Sequence, residues 1–425
     1  MRYLMEKPTL KSMQTDAIDN GKLQINVTAD IGQIPIQNAT ISISFTGEPG
    51  SPLETLTTDS SGQTETVSLK TPPLEYSLTP NSPMPYSEYT VTVTAPGYEP
   101  VTVSGVEVLP DVTAIQNIEM TPSEISRAPE ETITIPDHTL YGDYPPKIPE
   151  DEIKPMDETG EIVLSRVVIP EYIIVHDGVP ADSTAGNYYV RYRDYIKNVV
   201  SSEIYATWPE SAIYANTLAI MSVTLNRVYT EWYRNQGYNF TITSSTAYDQ
   251  KWIYGRNIYT NIDRLVDTVF ANFLSRPGVR QPIFTSYCDG KNVTCSGLSQ
   301  WGSKYLGDEG YAPIEIIRYY YGNDMYINSA VAVSGVPSSW PGYNLNIGAS
   351  GDKVLQIQQQ LNRIAQNYPA IPRITADGVY GSATANAVRT FQRIFNLPQS
   401  GIVDYPTWYK ISDVYVGVSR IAEPG

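Results

Sequence analysis

Hydrophobic and polar positions alternate with period two along the front of the chain. Leu23, Ile25, Val27 and Ala29 alternate with polar residues, and Ala39, Ile41, Ile43 and Phe45 do the same. The pairs Val67 and Leu69, Val91 and Val93, Val101 and Val103, and Val106 and Val108 repeat the pattern. Successive side chains of a strand point to opposite faces, so this spacing predicts half-buried strands. Gly47-Glu48-Pro49-Gly50, Asp59-Ser60-Ser61-Gly62 and Ala95-Pro96-Gly97 supply turns between the runs. Short alternating runs punctuated in this way predict a β-sandwich over residues 21–120. Residues 1–20 have no periodicity and read as a flexible leader.

The pattern lapses over residues 121–160. That stretch holds 10 Asp and Glu, 7 Pro and only 3 Lys and Arg. Such a composition buries too little apolar surface to pack alone, so an extended, exposed, protease-accessible linker is expected. Strand character returns at Glu161–Pro170, which should open a mixed α+β domain over 161–332.

Within that domain the period becomes helical. Ile196, Val199, Val200 and Ile204 share one stripe. Glu203 falls on the stripe, three residues after Val200 and four after Val199, whereas Lys197 and Ser202 do not. A carboxylate drawn toward an apolar wall has its charged form disfavoured, which is how proteins prepare a general acid. The alternative is a structural Glu203 that pairs with an arginine or caps a neighbouring helix. Polar, aromatic loops follow, among them Tyr229 to Tyr238 and Tyr248 to Tyr254. A helix is predicted from Ile262 to Leu274, ahead of Pro277-Gly278, and a strand over Pro282–Tyr287. A Ser/Gly/Pro linker at 333–342 precedes a last unit at 343–415. There Ile357, Leu361 and Ile364, then Ala387, Val388 and Phe391, have helical spacing.

Size and charge narrow the function. A chain of 425 residues has room for two to four domains. The net charge of −16 argues against nucleic acid as partner, because phosphate binding needs a basic face. No run of 18 apolar residues exists, so no membrane span is expected. The first eight residues lack the apolar core of a secretory signal, so the signal has been trimmed or the protein reaches its site by another route. His138 and His176 are the only histidines, too few and too far apart for a multi-His metal site. The chain carries 33 Tyr against 7 Phe. Tyr suits sugar-ring contact, although most of these residues serve equally well as half-buried packing.

Several blocks resemble known families. Tyr195-Ile196 through Val200, Ser202-Glu203-Ile204, then Trp208-Pro209-Glu210-Ser211-Ala212 and the Ala-rich run to Thr224, are similar to the opening of the SpoIID/LytB domain. Gly297-Leu298-Ser299-Gln300-Trp301-Gly302-Ser303 and the following Ile314–Gly322 resemble its second block and closing helix. The resemblance implies an enzyme that cleaves peptidoglycan glycan strands, with the catalytic role on Glu203. It makes Ser299 and Gln300 candidate sugar-binding groups. Trp301, Tyr205 and Trp208 are candidate stacking surfaces, with core packing as the alternative for each. Some members of this family bind zinc through two cysteines and a histidine three residues before the first. Here that position is Thr285, so Cys288 and Cys295 are expected to be paired or free rather than metal ligands, and no cofactor is implied. LytB-type members bind the wall and enhance amidases without cutting it, which is the alternative function. A purely structural wall protein is a third possibility.

Thr58–Gln63 and Ala95–Tyr98 resemble Cna-B modules. Gly348–Val354, Asp377–Thr384 and Leu397–Trp408 resemble the three-helix peptidoglycan-binding domain of the PGB-1 type. The whole order resembles the spore cortex-lytic enzymes of the SleC type. That likeness implies an inactive precursor stored in the spore cortex or coat region, outside the spore core. Subtilisin-like Csp germination proteases would activate it by removing the N-terminal region, with Leu164-Ser165-Arg166-Val167 as the candidate processing region. Cortex peptidoglycan would be the substrate. Glu203 would then act as the one carboxyl of a lytic transglycosylase, since a hydrolase normally needs two flanking the bond.

Overall fold

The computed structural model describes residues 19–30, 33–123, 131–142, 144–154, 166–330 and 332–419. The architecture is multidomain α+β, with eight α-helices among the described residues.

The alternating front of the chain forms the expected strands: β1 (Asp19–Ala29), β2 (Thr40–Phe45), β3 (Glu54–Thr57), β4 (Val67–Thr71), β5 (Ser87–Thr94), β6 (Val101–Val108) and β7 (Thr113–Met120). Strand β8 (Glu131–Thr134) joins them. One sheet has the order β3-β2-β5-β6-β8. Leu23, Ile25, Val27, Ile41, Val91, Val93, Val101 and Val103 are buried in a shared core. The double run Val101/Val103 and Val106/Val108 has a local cause. The β5–β6 register shifts between Tyr89 and Val91, opposite Gly105 at φ +85°. A bulge there adds one residue, so Val103 and Val106 both stay buried. A Cβ on Gly105 would lie 2.5 Å from the Ile135 carbonyl oxygen, so only glycine fits.

The second half contributes short strands: β9 (Val168–Ile169), β10 (Tyr172–His176), β11 (Asn187–Arg191), β12 (Ile242–Thr243), β13 (Ile258–Tyr259), β14 (Asn272–Ser275), β15 (Tyr287–Cys288), β16 (Leu298–Ser299), β17 (Tyr326–Ser329) and β18 (Ala332–Val333). The helices are α1 (Tyr192–Glu203), α2 (Glu210–Tyr229), α3 (Thr260–Val269), α4 (Gln300–Asp308), α5 (Pro313–Tyr321), α6 (Asp352–Asn367), α7 (Ser382–Ile394) and α8 (Tyr405–Ser419). The last three form the expected helical unit. Trp408 is fully buried within it, and the Gln392 amide donates to Ile402 O and Thr407 Oγ1.

Four expectations need correction. The helix expected to reach Leu274 ends at Val269, because Asn272–Ser275 pairs antiparallel with Tyr326–Ser329 instead. Lys197, placed off the apolar stripe of α1, is buried. Its ammonium bonds Asp263 at 2.6 Å and Asp267 at 2.9 Å. The leader reading covers residues outside those described, except that Asp19 and Asn20 already pair in β1. The fourth concerns 121–160. Composition pointed to an exposed linker, yet β8 pairs with β6, and Ile135, His138, Leu140, Tyr144 and Lys154 are buried. These residues need no core of their own, because they lie against the sandwich and the α+β domain. The candidate processing region falls largely outside the described residues. Its described members are an exposed Arg166 and a buried Val167.

The sandwich and the α+β domain share a sheet. Strand β13 pairs with β7, giving the order β13-β7-β1-β4. Beside this seam the Arg256 guanidinium grips Glu107 through two bonds of 2.5 and 2.6 Å, and both side chains are buried. Burial pushes the Glu107 carboxyl up to about 7, while the guanidinium pulls it down. The Asn257 side chain bonds the Glu107 backbone at both N–H and C=O. On the opposite side, α8 docks on α1 and α3. Asp267 receives Lys197, Arg193 and Lys410, and Asp413 receives Arg191 and Arg193. Removing one partner of a buried ion pair strands the other charge. Arg256→Met should therefore lower the unfolding free energy of the intact chain by about 3–5 kcal/mol, read from denaturant titration.

Candidate active site

Glu203 is the last residue of α1 and is fully buried. Three donors from three separate segments reach its carboxylate. The Lys251 backbone N–H donates to Oε1 at 2.8 Å, and the Tyr287 hydroxyl to the same oxygen at 3.3 Å. The Gln300 amide donates to Oε2 at 3.0 Å. Among the described residues no arginine clamps the group. Its three hydrogen-bond donors are all neutral, and buried polar groups persist when they are hydrogen-bonded.

The local folding follows from short-range devices. Tyr287 sits on β15, which pairs in parallel with β16, so Tyr287 lies opposite Leu298 and Cys288 opposite Ser299. Gln300 is the first residue of the next helix, α4. Ser299 caps that helix, its hydroxyl accepting from Gly302 N–H at 3.0 Å. The loop between the two strands is closed by a Cys288–Cys295 disulfide. Asp289 gathers the N–H groups of Lys291, Asn292 and Val293 within it. Both thiols are thus committed to each other, and Thr285 turns away to donate to Ala219 O.

The sequence-derived site residues converge only in part. Gln300 reaches Glu203, while Ser299 serves the helix cap. Tyr205, Trp208 and Trp301 form one buried cluster, with ring centroids 4.9 to 6.1 Å apart. Their exposed-stacking role is not available in this state. The Trp208 indole donates to Ser77 O of the sandwich, and the Tyr205 ring lies 4.5 Å from the His138 ring.

Segments ahead of the α+β domain come up against the end of α1. Thr139 N–H reaches Ser202 O at the end of α1. Tyr144 is buried and Lys147 half-buried, and both lie within the electrostatic field of Glu203. The Lys147 ammonium stands 4.5 Å from the centre of the Tyr287 ring and donates to Asp249 O at 2.6 Å. Burial pushes the Lys147 ammonium down, with Glu203 and Asp249 opposing. The Tyr144 hydroxyl is buried without a hydrogen-bond partner. A cavity of about 530 Å³ opens elsewhere, between Thr55, Asp59, Gln63 and Arg393, and Glu203 does not line it.

Sequence reasoning missed Tyr287, Lys251, Tyr144 and Lys147. It also missed Asp249, a second buried carboxylate nearby. Asp249 is saturated by Arg227 Nε, the Tyr233 hydroxyl and both donors of Thr243, so its part is structural. The polar, aromatic run Tyr248–Tyr254 was the one signal that could have marked this loop.

Residues 183–269 match the family model described as Stage II sporulation protein, SpoIID. Residues 350–411 match the model of a putative peptidoglycan-binding domain. Glu203 lies inside the first match. No curated protein matches the chain. Among solved structures, the N-terminal domain of SleB is similar at 30% identity over 17% of this chain and 93% of that one, with TM-score 0.15. The Bacillus anthracis TIE protein is similar at 15% identity over 24% and 17%, with TM-score 0.17. A minor pilin of Streptococcus agalactiae is similar at 16% identity over 26% and 48%, with TM-score 0.19. At these scores the likenesses add nothing to the fold described above.

The chain therefore carries a SpoIID match ahead of a putative peptidoglycan-binding match, which supports a peptidoglycan-acting protein of sporulation or germination. That pairing is consistent with a spore cortex-lytic enzyme of the SleC type.

Two outcomes follow from the site geometry. Gln300→Ala leaves Oε2 without its donor and should cost about 1–3 kcal/mol, measured by denaturant unfolding. His138 is buried and its imidazole is held well below its ordinary value by desolvation. The folded state thus takes up fewer protons than the unfolded one, and stability falls as pH drops below the unfolded value near 6.5. His138→Gln should remove a slope approaching about 1.4 kcal/mol per pH unit, seen by comparing unfolding of the two proteins from pH 7 to pH 5.

Proposed function

We propose that this protein is the precursor of a lytic transglycosylase that cuts cortex peptidoglycan. Its place of action is the spore wall, outside the spore core. The supporting observation is the position of Glu203 within the SpoIID match. It is a single carboxyl held at a helix end by three neutral donors, with no second unengaged carboxylate beside it among the described residues.

One carboxyl suffices for this chemistry. The protonated Glu203 gives its proton to the glycosidic oxygen as the bond from the muramoyl C1 breaks. The resulting carboxylate takes the proton of the muramoyl C6 hydroxyl. O6 then bonds to C1, leaving a 1,6-anhydro ring and a restored carboxylic acid. Gln300 and Tyr287 hold the carboxyl in place through both steps, and Ser299, Trp301, Tyr205 and Trp208 are the nearby candidates for glycan contact.

The precursor state has a physical basis. Thr139 bonds the end of α1 beside Glu203, Tyr144 and Lys147 lie within its electrostatic reach, and Ser77 and His138 cover Trp208 and Tyr205. All of these covering residues precede the candidate processing region. Proteolysis there, by subtilisin-like Csp proteases, would place the cover and the enzyme on different fragments. The C-terminal helical unit would hold the enzyme on the wall.

Glu203→Gln keeps the shape of the side chain and removes its proton chemistry. Mass spectrometry of cortex digested by processed protein should show anhydro-muropeptides for the wild type and none for the variant, with wall binding retained by both. Undiminished anhydro products from the variant would sink the assignment. Stimulation of an amidase, with no glycan cutting by the wild type, would favour the LytB-type enhancer.

A further inference from the structure

The contacts that cover Glu203 do not depend on the peptide bond after residue 154. The segment ahead of it is fastened to the α+β domain along its whole described length. Ile148 N–H bonds Ala247 O, and Phe284 N–H bonds Glu152 O. Lys154 exchanges two bonds with the Gln281 side chain, giving its N–H to Oε1 and accepting from Nε2 at its carbonyl. Glu150 takes both terminal nitrogens of Arg227, at 2.8 and 2.6 Å, and also accepts from Lys154. Glu152 accepts from two nitrogens of Arg276, at 2.8 and 3.1 Å. Upstream, β7 pairs with β13, Glu107 grips Arg256, and Ser77 receives Trp208.

From these contacts we infer that cutting the chain beyond Lys154 does not free the site. The N-terminal fragment stays seated as a non-covalent inhibitor whose ligand surface is the enzyme domain itself. Activation is then two events, scission and separation, and the Glu150–Arg227 and Glu152–Arg276 pairs are the latch between them. The argument is one of molecularity. Before scission the cover is held at the high effective concentration of a linked segment. Scission removes the linkage and leaves every hydrogen bond, ion pair and strand pairing in place. A fragment that shares a sheet with its partner and meets it through buried charge pairs has a slow off-rate. Arg227 keeps Asp249 as a partner in Glu150→Gln, whose side-chain amide oxygen can still accept from the buried Lys154 ammonium.

The inference rests on the reading of Glu203 as the acid, but its first readout does not need activity. A recognition sequence for a site-specific protease is placed within residues 155–165 of the full chain and cut to completion. At micromolar concentration and moderate salt, the two fragments should co-elute from a sizing column at the mass of the uncut protein. Their release of anhydro-muropeptides should stay at least about tenfold below that of the separated enzyme fragment. In the Glu150→Gln/Glu152→Gln protein, whose uncut form is checked by circular dichroism, the fragments should dissociate at least about tenfold faster. Product release should rise in step. Separation of the wild-type fragments on cutting would overturn the inference, as would a co-eluting pair that digests cortex at the full rate. Equal dissociation of wild type and variant would remove the latch from the two glutamates. Fragments that behave as described, with no anhydro product from the separated enzyme, would instead sink the transglycosylase reading.

Discussion

A carboxylate taken out of water must find donors to replace its lost hydration, or it stays protonated or does not fold. Glu203 lies under that constraint. Its donors come from residues 48, 84 and 97 positions away in sequence. Each must arrive with the right geometry before the helix end can be buried. The parallel pairing of β15 with β16 brings Tyr287 and Gln300 alongside each other. The disulfide and Asp289 hold the loop between those strands in shape. The carboxyl is therefore positioned by a stiff frame rather than by its own helix.

The same helix carries charge at its other end. Arg191, Arg193 and Lys197 meet Asp263, Asp267 and Asp413, with Lys410 reaching in from α8. This network fastens the C-terminal helical unit directly to the helix that bears Glu203. The sandwich joins from the far side through β13 and Arg256. Helix α1 is consequently buried on nearly all sides, between the C-terminal helical unit and the N-terminal segments.

The front and back of the chain were legible from residue patterns, because there each element carries its own periodicity. Leu23 to Val27 alternates, and Ile357, Leu361 and Ile364 recur on one face, with or without partners. Glu203 could be singled out for the same reason, as a carboxylate on an apolar stripe. The segment 131–154 was not legible. Its Pro and acidic residues describe a chain that cannot fold alone, yet Glu150 and Glu152 find Arg227 and Arg276 across the fold. Composition counts charges but does not count the partners that neutralise them.

Local order is a property of neighbouring residues, so the strands, the helices and the identity of one acidic candidate follow from the sequence by itself. Whether that acid faces solvent or a plug is a property of residues far apart along the chain. Only the tertiary structure decides it, because burial, donor geometry and ion pairing are set by what packs opposite. The sequence named Glu203; the packed fold buried it and brought Lys251, Tyr287 and Gln300 to its carboxylate.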